Sequence, residues 1–177
     1  MNISIKIFLA LLLLLLCEAG LNSQQNPVVY VIKIDGSINP STSDFIRRSI
    51  DEAKSKNVEC HDIQHNTPGG LLKSTRYIVS DILTAPIPVI VYVSPGGSQS
   101  ASAGVFITLA SHIAVMAPGT NIGASHPVSG DGSKMDSTMS EKVTNDAAAF
   151  IRSISEKRKR NVKWSEDAVR NSVSITE

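Results

Sequence analysis

Ser98, Ser100 and Ser102 lie in one stretch, SPGGSQSASAG (94–104), which holds no large side chain. An apolar run precedes it, PVIVYV (88–93), and another follows, VFITLA (105–110). A second turn without bulk, TPGG (67–70), also sits between a predicted strand and a predicted helix. Glycines in such turns let a substrate backbone come close and leave amide N–H groups free. Free amides near a helix N-terminus stabilise an oxyanion, and an alkoxide beside them feels the positive end of the helix dipole. The chemistry open to these residue types is attack by a serine hydroxyl on a carbonyl.

A serine nucleophile also needs a base. His126, in GASHPV, and Lys142, at the head of a long helical pattern, are the leading candidates; Lys134 is a weaker one. Lysine serves as a base only when neutral, a state favoured by burial and by the positive potential of a helix start. Each residue has a plainer reading. Lys142 could be an exposed lysine next to Asp146, one turn on, His126 a loop histidine, and the small turns a device for tight strand–helix packing. The residues alone leave both readings open.

The elements that would position these groups alternate along the chain. VVYVIKI (28–34) predicts a strand stopped at Asp35-Gly36. Phe45, Ile46, Ile50 and Ala53 have helical spacing, which predicts a helix over 41–55. Val58 to His65 is the next strand by position. Leu71 to Leu83 reads as helix, with Leu72, Tyr77, Ile78, Val79 and Ile82 on one side. PVIVYV predicts a strand buried on both faces. Ser102 to Ala110 predicts a buried helix, HIAVMA (112–117) a short strand, PGTNIGA (118–124) a reversal and 125–137 a loop. Thr138 and Glu141 have capping-box spacing. Val143, Ala147, Phe150, Ile151 and Ile154 then form an apolar stripe on a helix of about five turns, and a last helix covers Trp164 to Asn171. Strand–helix alternation implies parallel pairing with right-handed crossovers, in a single α/β domain.

Composition narrows the function classes. A formal net charge of +1 over 177 residues offers no field for nucleic acid. The run KRKR (157–160) reads as the solvated end of a helix, where cations suit the dipole. MNISIKIFLALLLLLLCEAG has one early cation and an apolar stretch from Ile7 to Leu16, followed by small and polar residues. This is the pattern of a secretory signal peptide over 1–23, with an uncleaved N-terminal anchor as the alternative. Removal of that leader would leave Cys60 as the remaining cysteine, with no internal disulfide.

Taken in order, TPGG, ASAG (101–104) and APGTNIGA (117–124), with the later stretch KVTNDAAAFIRSISEKRKRNVKWSEDAVRNSVSITE, resemble the protease domain of the NfeD family. These are membrane-associated serine proteases of the ClpP class, and the resemblance covers 28–177. It implies a ClpP/crotonase-like fold with a mostly parallel sheet, and a Ser–Lys dyad with Ser102 as nucleophile and Lys142 as base. It places the oxyanion hole at the backbone amides of Gly70 and Ala103, with Gly69 and Gly97 leaving space for a substrate peptide. Ser98 and Ser100 become turn residues. His126 is the alternative base, because the related ClpP peptidases use a histidine at a similar distance after the serine. No metal or other cofactor is implied. The expected substrate is an apolar segment of a membrane-associated, stomatin-like protein. The expected assembly is a homodimer, at the periplasmic or extracytoplasmic face of a membrane.

Two departures from the family pattern stand out. Where the family has an apolar strand, this chain reads VECHDIQHN (58–66), and buried polar groups need partners. Cys60, His61 and His65 raise a metal site, but strand alternation puts His61 and His65 on one face and Cys60 on the other. The chain also ends at SITE, where the family pattern continues, which implies a truncated domain. Together they favour the second reading, a catalytically degenerate member that binds peptides or membrane proteins. A third, a crotonase-type acyl-CoA enzyme, lacks an obvious acid/base carboxylate beside the glycine turns.

Overall fold

A computed structural model describes residues 27–130 and 135–177 of the chain; the leader expected over 1–23 and Lys134 lie outside the described residues. Among the described residues seven strands and five helices follow one another. β1 is Val29–Asp35, α1 Pro40–Ser55, β2 Cys60–Asn66, α2 Leu72–Thr84, β3 Val89–Val93 and β4 Gln99–Ala101. α3 is Ala103–Ala110, β5 Ile113–Met116, β6 Asn121–Gly123, α4 Ser137–Arg158, α5 Val162–Arg170 and β7 Ser174–Thr176. A four-stranded sheet, in the order β1-β2-β3-β5, is parallel throughout. A smaller sheet, β4-β6-β7, pairs β4 with β6 in parallel and β6 with β7 antiparallel.

Local chemistry starts the helices where the structure has them. Asn39 caps α1, its side chain accepting from the Thr42 amide at 3.0 Å, and Pro40 takes the first turn, where its missing N–H costs nothing. α4 begins earlier than the capping-box spacing predicts. Its cap is Asp136, which accepts from the Met139 amide, so Lys142 falls in the second turn. α1 buries Ile46, Ile50 and Ala53 as expected, whereas Phe45 is exposed, on the flank of the apolar stripe.

One face of the large sheet carries the core. Ile32, Ile63 and Val91 stand in register across β1, β2 and β3, and Ile34, His65 and Val93 form the next row. Ile46, Ile78, Ile82, Phe106, Ile151 and Ile154 cover them from the helices. The other face is more open, and β3 is therefore not buried on both sides. Val89, Val91 and Val93 are buried, while Ile90 and Tyr92 are half-exposed on the outer face with Val31, Asp62 and Ile113.

That alternation accommodates the polar strand. Asp62, Gln64 and Asn66 point to the outer face and are half-exposed there. His61 and His65 point inward, and both rings have partners. His61 Nδ1 donates to the Tyr30 carbonyl at 2.9 Å and its Nε2 lies 2.8 Å from Ser49 Oγ. His65 Nε2 lies 3.0 Å from Ser100 Oγ and 3.1 Å from Thr108 Oγ1. For the two inward-facing histidines the threat to stability read from VECHDIQHN is thereby answered, since both rings are hydrogen-bonded, whereas Asp62 Oδ1 on the outer face is buried with no partner among the described residues.

The basic run closes α4 as expected, with Lys157 and Lys159 exposed, but its two arginines turn back onto other helices. Arg158 Nε donates to the Ala110 carbonyl at 2.7 Å and its Nη2 to the Ile82 carbonyl at 3.2 Å, while Arg160 reaches the Ser111 carbonyl. These carbonyls lie at the C-terminal ends of α3 and α2, where a cation satisfies orphan acceptors and opposes the negative end of the dipole. The two arginines tie α4 and its exit to the helices it packs on.

Burial lowers the His65 pKa from 6.5 to about 4 and lowers that of His61 as well. Below pH 6.5 the unfolded chain takes up a proton that folded His65 refuses. Stability is therefore complete above that pH and drains away as pH falls towards about 4. Urea denaturation between pH 8 and 4 is expected to show this decline, with a shallower slope in the His65→Leu variant; an identical slope would remove His65 from the account.

Candidate active site

β4 runs directly into Ser102, and Ser102 directly into α3. Ser102 has φ 52° and ψ −111°, a backbone conformation that residues with a side chain seldom adopt. A serine on a sharp, strained strand-to-helix turn presents its hydroxyl at the edge of the sheet. Neighbours hold it there. Its amide donates to the Gly123 carbonyl at 3.0 Å, and its carbonyl accepts from the Val105 amide at 3.1 Å and from Ser125 Oγ at 3.3 Å.

The second small turn reaches the same place through β4. The Thr67 amide donates to the Gln99 carbonyl at 2.8 Å, and the Ala101 amide to the Thr67 carbonyl at 3.0 Å. This pairing lays TPGG against Ser102. A Cβ on Gly69, at φ +123°, would fall 2.6 Å from Ser102 Cβ and 3.0 Å from its Oγ. Gly70 is pressed against another backbone segment, where a Cβ would lie 2.0 Å from the Ile38 carbonyl oxygen. Hydrogen bonds from Ile38 to Gly69 and from Leu71 to Ile38 hold that contact. Among the described residues, neither the Gly70 nor the Ala103 amide has an acceptor, and both residues line a cleft of about 690 Å³ together with Ser102. Ile38, Leu71, Leu72, Phe106, Val128 and Val143 give that cleft an apolar wall.

His126 also lines the cleft. Its Nδ1 donates to the Val169 carbonyl at 3.0 Å, which leaves Nε2 as the acceptor of the neutral ring. Lys142 is exposed on α4 and is not among the cleft-lining residues, although Val143 and Ala147 of the same helix are. Its plainer reading holds in its exposure but not in a pair with Asp146: Asp146 accepts from Arg76 at 2.6 Å, and among the described residues no carboxylate lies within ion-pair distance of Lys142.

Two residues singled out from the sequence stand apart from the cleft. Gly97 is not part of the described cleft lining; its amide donates to the Gly119 carbonyl at 3.1 Å, which closes a separate turn. Ser100 is not a turn residue either. It is a fully buried strand residue, with its hydroxyl 2.9 Å from Thr108 Oγ1 and 3.0 Å from His65 Nε2. Sequence reasoning also missed Gly123 and Ser125, which hold the Ser102 backbone. The trace Gly123 left was the small-residue content of APGTNIGA, and Ser125 lies one residue beyond it.

A parallel α/β domain with a strained strand-to-helix serine, and a glycine turn laid against it, belongs to the ClpP-like class of folds. Consistent with that class, ClpP1 from Listeria monocytogenes superposes with a TM-score of 0.64 over 82% of both chains, at 18% identity. The chain belongs to the NfeD1b family, whose N-terminal domain matches residues 28–177. The membrane-bound protease PH1510 of Pyrococcus horikoshii is 36% identical over 97% of this chain, and the membrane protein NfeD1b of Bacillus subtilis is 34% identical over 72% of it. The matches span 38% and 29% of those two proteins, so this chain corresponds to less than half of either. Two solved structures of 1510-N, described as a membrane-bound stomatin-specific protease, superpose with TM-scores of 0.79 at 38% identity. One is a serine-to-alanine variant and covers 85% of this chain and 73% of its own. The other, a lysine-to-alanine variant in complex with a substrate peptide, covers 86% and 70%.

The Gly70 contact generates a stability prediction. Gly70→Ala forces a methyl into the Ile38 backbone and is expected to cost roughly 1–3 kcal/mol in chemical denaturation, as overpacking does. Gly130→Ala, with nothing within 4 Å of its added carbon, is expected to change stability by less than about 0.5 kcal/mol. Equal effects would contradict the packing assigned to Gly70.

Proposed function

We propose that this domain is a serine endopeptidase in which Ser102 attacks the scissile carbonyl, and the observation that carries the reading is Ser102 itself. It stands on a strained turn at the N-terminus of α3, beside two amides without acceptors, on the wall of an apolar cleft. The amides of Gly70 and Ala103 would receive the oxyanion of the tetrahedral intermediate. Gly69 would let the peptide backbone pass close to the hydroxyl.

Lys142 is proposed as the base. It removes the Ser102 proton as the bond to the carbonyl carbon forms, then returns that proton to the leaving amine. Lys142, neutral again, then takes a proton from a water molecule that attacks the acyl-enzyme, and returns it to Ser102 Oγ as the acid is released. Support comes from the position of Lys142 beside cleft-lining Val143, from the absence of an ion pair to Asp146, and from the 1510-N variants. The serine and lysine altered there stand nearly as far apart in that sequence as Ser102 and Lys142 do in this one. A Ser–His arrangement is the second reading, because His126 lines the cleft with Nε2 free to accept.

The apolar cleft wall suits apolar peptide segments. The relatives' names support a stomatin-like membrane protein as substrate and association with a membrane, and the signal-like pattern of 1–23 favours the exported side; a homodimer remains the assembly that the family resemblance implies. Among the described residues no helix is long and apolar enough to cross a membrane.

A serine-reactive phosphonate probe tests the reading. Parent protein is expected to label at Ser102. Ser102→Ala should abolish labelling, and Lys142→Ala should slow it by about 10²–10⁴-fold, the usual loss on removing a general base. Rapid labelling of Lys142→Ala with loss in His126→Ala would move the base to His126. A folded parent that binds apolar peptides but never labels would indicate a non-catalytic binding domain.

A further inference from the structure

His65 is not among the cleft-lining residues, and the chemistry above gives it no part. Its ring is 1% exposed. Nε2 lies 3.0 Å from Ser100 Oγ and 3.1 Å from Thr108 Oγ1, and the two hydroxyls lie 2.9 Å apart, so three polar groups close a triangle in the core. They come from the three elements that meet at the nucleophile turn. His65 is on β2, two residues before Thr67; Ser100 is on β4, two before Ser102; Thr108 is on α3, six after it. The space between them is full. A Cβ on Gly104 would fall 2.8 Å from Ser100 Oγ and 2.7 Å from Thr67 Cγ2, so the Ser100 hydroxyl is wedged beneath the first turn of α3.

A buried polar triangle is costly unless every member is satisfied, and aliphatic side chains would fill a core site without that condition. What the triangle supplies is direction. Apolar packing tolerates sliding, whereas hydrogen bonding among Nε2 and the two hydroxyls fixes the distances between β2, β4 and α3. Ser102 needs that fixity, because a residue at φ 52° stays there only when its surroundings over-determine it. Its hydroxyl must also hold its place to within an ångström for attack to be efficient.

We propose that His65 is a positioning residue for Ser102, acting through Ser100 and Thr108 to hold the strand-to-helix turn in its strained conformation. The proposal rests on Ser102 being the reacting hydroxyl. The ring works in its neutral form. The groups facing its Nε2 are the Ser100 and Thr108 hydroxyls, Ile34 and Val93 flank it in register on β1 and β3, and desolvation is the one influence that moves its pKa.

The test compares the parent chain with His65→Leu, which fills the space without hydrogen bonds, and with His65→Gln, whose amide reaches the position of Nε2. Inactivation by the phosphonate probe is followed to saturation, so that the limiting rate separates from probe affinity. Amide hydrogen exchange is measured across 99–105. His65→Leu is expected to lower the limiting rate by about 10–100-fold with probe affinity within twofold of the parent, and to speed exchange at Ala101, Ser102 and Ala103. His65→Gln should restore the rate to within about threefold and restore the slow exchange. Parent-like rate and exchange in His65→Leu, while the parent labels normally, would overturn the positioning role and leave the peptidase reading standing. Equal losses in Leu and Gln variants, matched by equal drops in melting temperature, would also overturn it. A parent that does not label, with exchange at 101–103 still sped by Leu and restored by Gln, would remove the peptidase reading and keep the hold on the turn. If His65→Leu does not fold, Thr108→Val deletes one corner at constant shape. A slowed limiting rate supports the proposal and a parental rate overturns it.

Discussion

The arrangement around Ser102 depends on glycines that bring their main chain against neighbouring groups with no side chain of their own between. Gly69 touches the side chain of Ser102, Gly70 touches the main chain of Ile38, and Gly104 closes over Ser100 and Thr67. At each of these places an added carbon would fall at or below 2.8 Å from a neighbouring heavy atom. The two turns can therefore interlock only as a set. Once TPGG is laid along β4 through Thr67, the positions of the Gly70 and Ala103 amides relative to the Ser102 hydroxyl follow from the chain path. The two amides that face the cleft without acceptors are thus main-chain groups, which need no rotamer to be held and lose no side-chain entropy when a ligand arrives.

The frame behind the turns distributes its polar groups by face. On the inner side of the sheet, His61 and His65 stand among isoleucines and valines, each with hydroxyl or carbonyl partners drawn from other elements. On the outer side, the charged and amide groups of β1 and β2 remain near water. Arg158 does for the helices what the histidines do for the strands. It inserts a polar group among apolar elements and uses it to satisfy carbonyls that the ends of α2 and α3 leave unpaired. Both devices convert loosely directional hydrophobic contact into fixed geometry.

Much of this was legible in the residues. The alternation in VVYVIKI, the stripes of α1, α2 and α4, and the order of strands and helices gave the α/β class and the parallel pairing. ASAG and TPGG marked the two turns that the structure brings together. The three-residue strands β4, β6 and β7 were not legible, because a period of two cannot be read over three residues and their pairing depends on partners far along the chain. Ser100 looked like a turn residue for the same reason. VVYVIKI and PVIVYV do not reveal which face of a parallel sheet lies open, since that depends on where the helices pack rather than on the strand's own composition. The partners of His61 and His65, at Ser49, Tyr30, Ser100 and Thr108, lie 8 or more positions from one another or from the rings, so no local pattern announced them.

The positive φ of Ser102 has a consequence for what the position would become if left to conformational preference alone. At such a dihedral the absence of a side chain is the relaxed solution, and carrying one costs of order 1–3 kcal/mol. A mutational scan for thermal robustness, blind to chemistry, would favour glycine at position 102. The wild-type hydroxyl thus marks a site where the chain is less comfortable than its neighbours would allow.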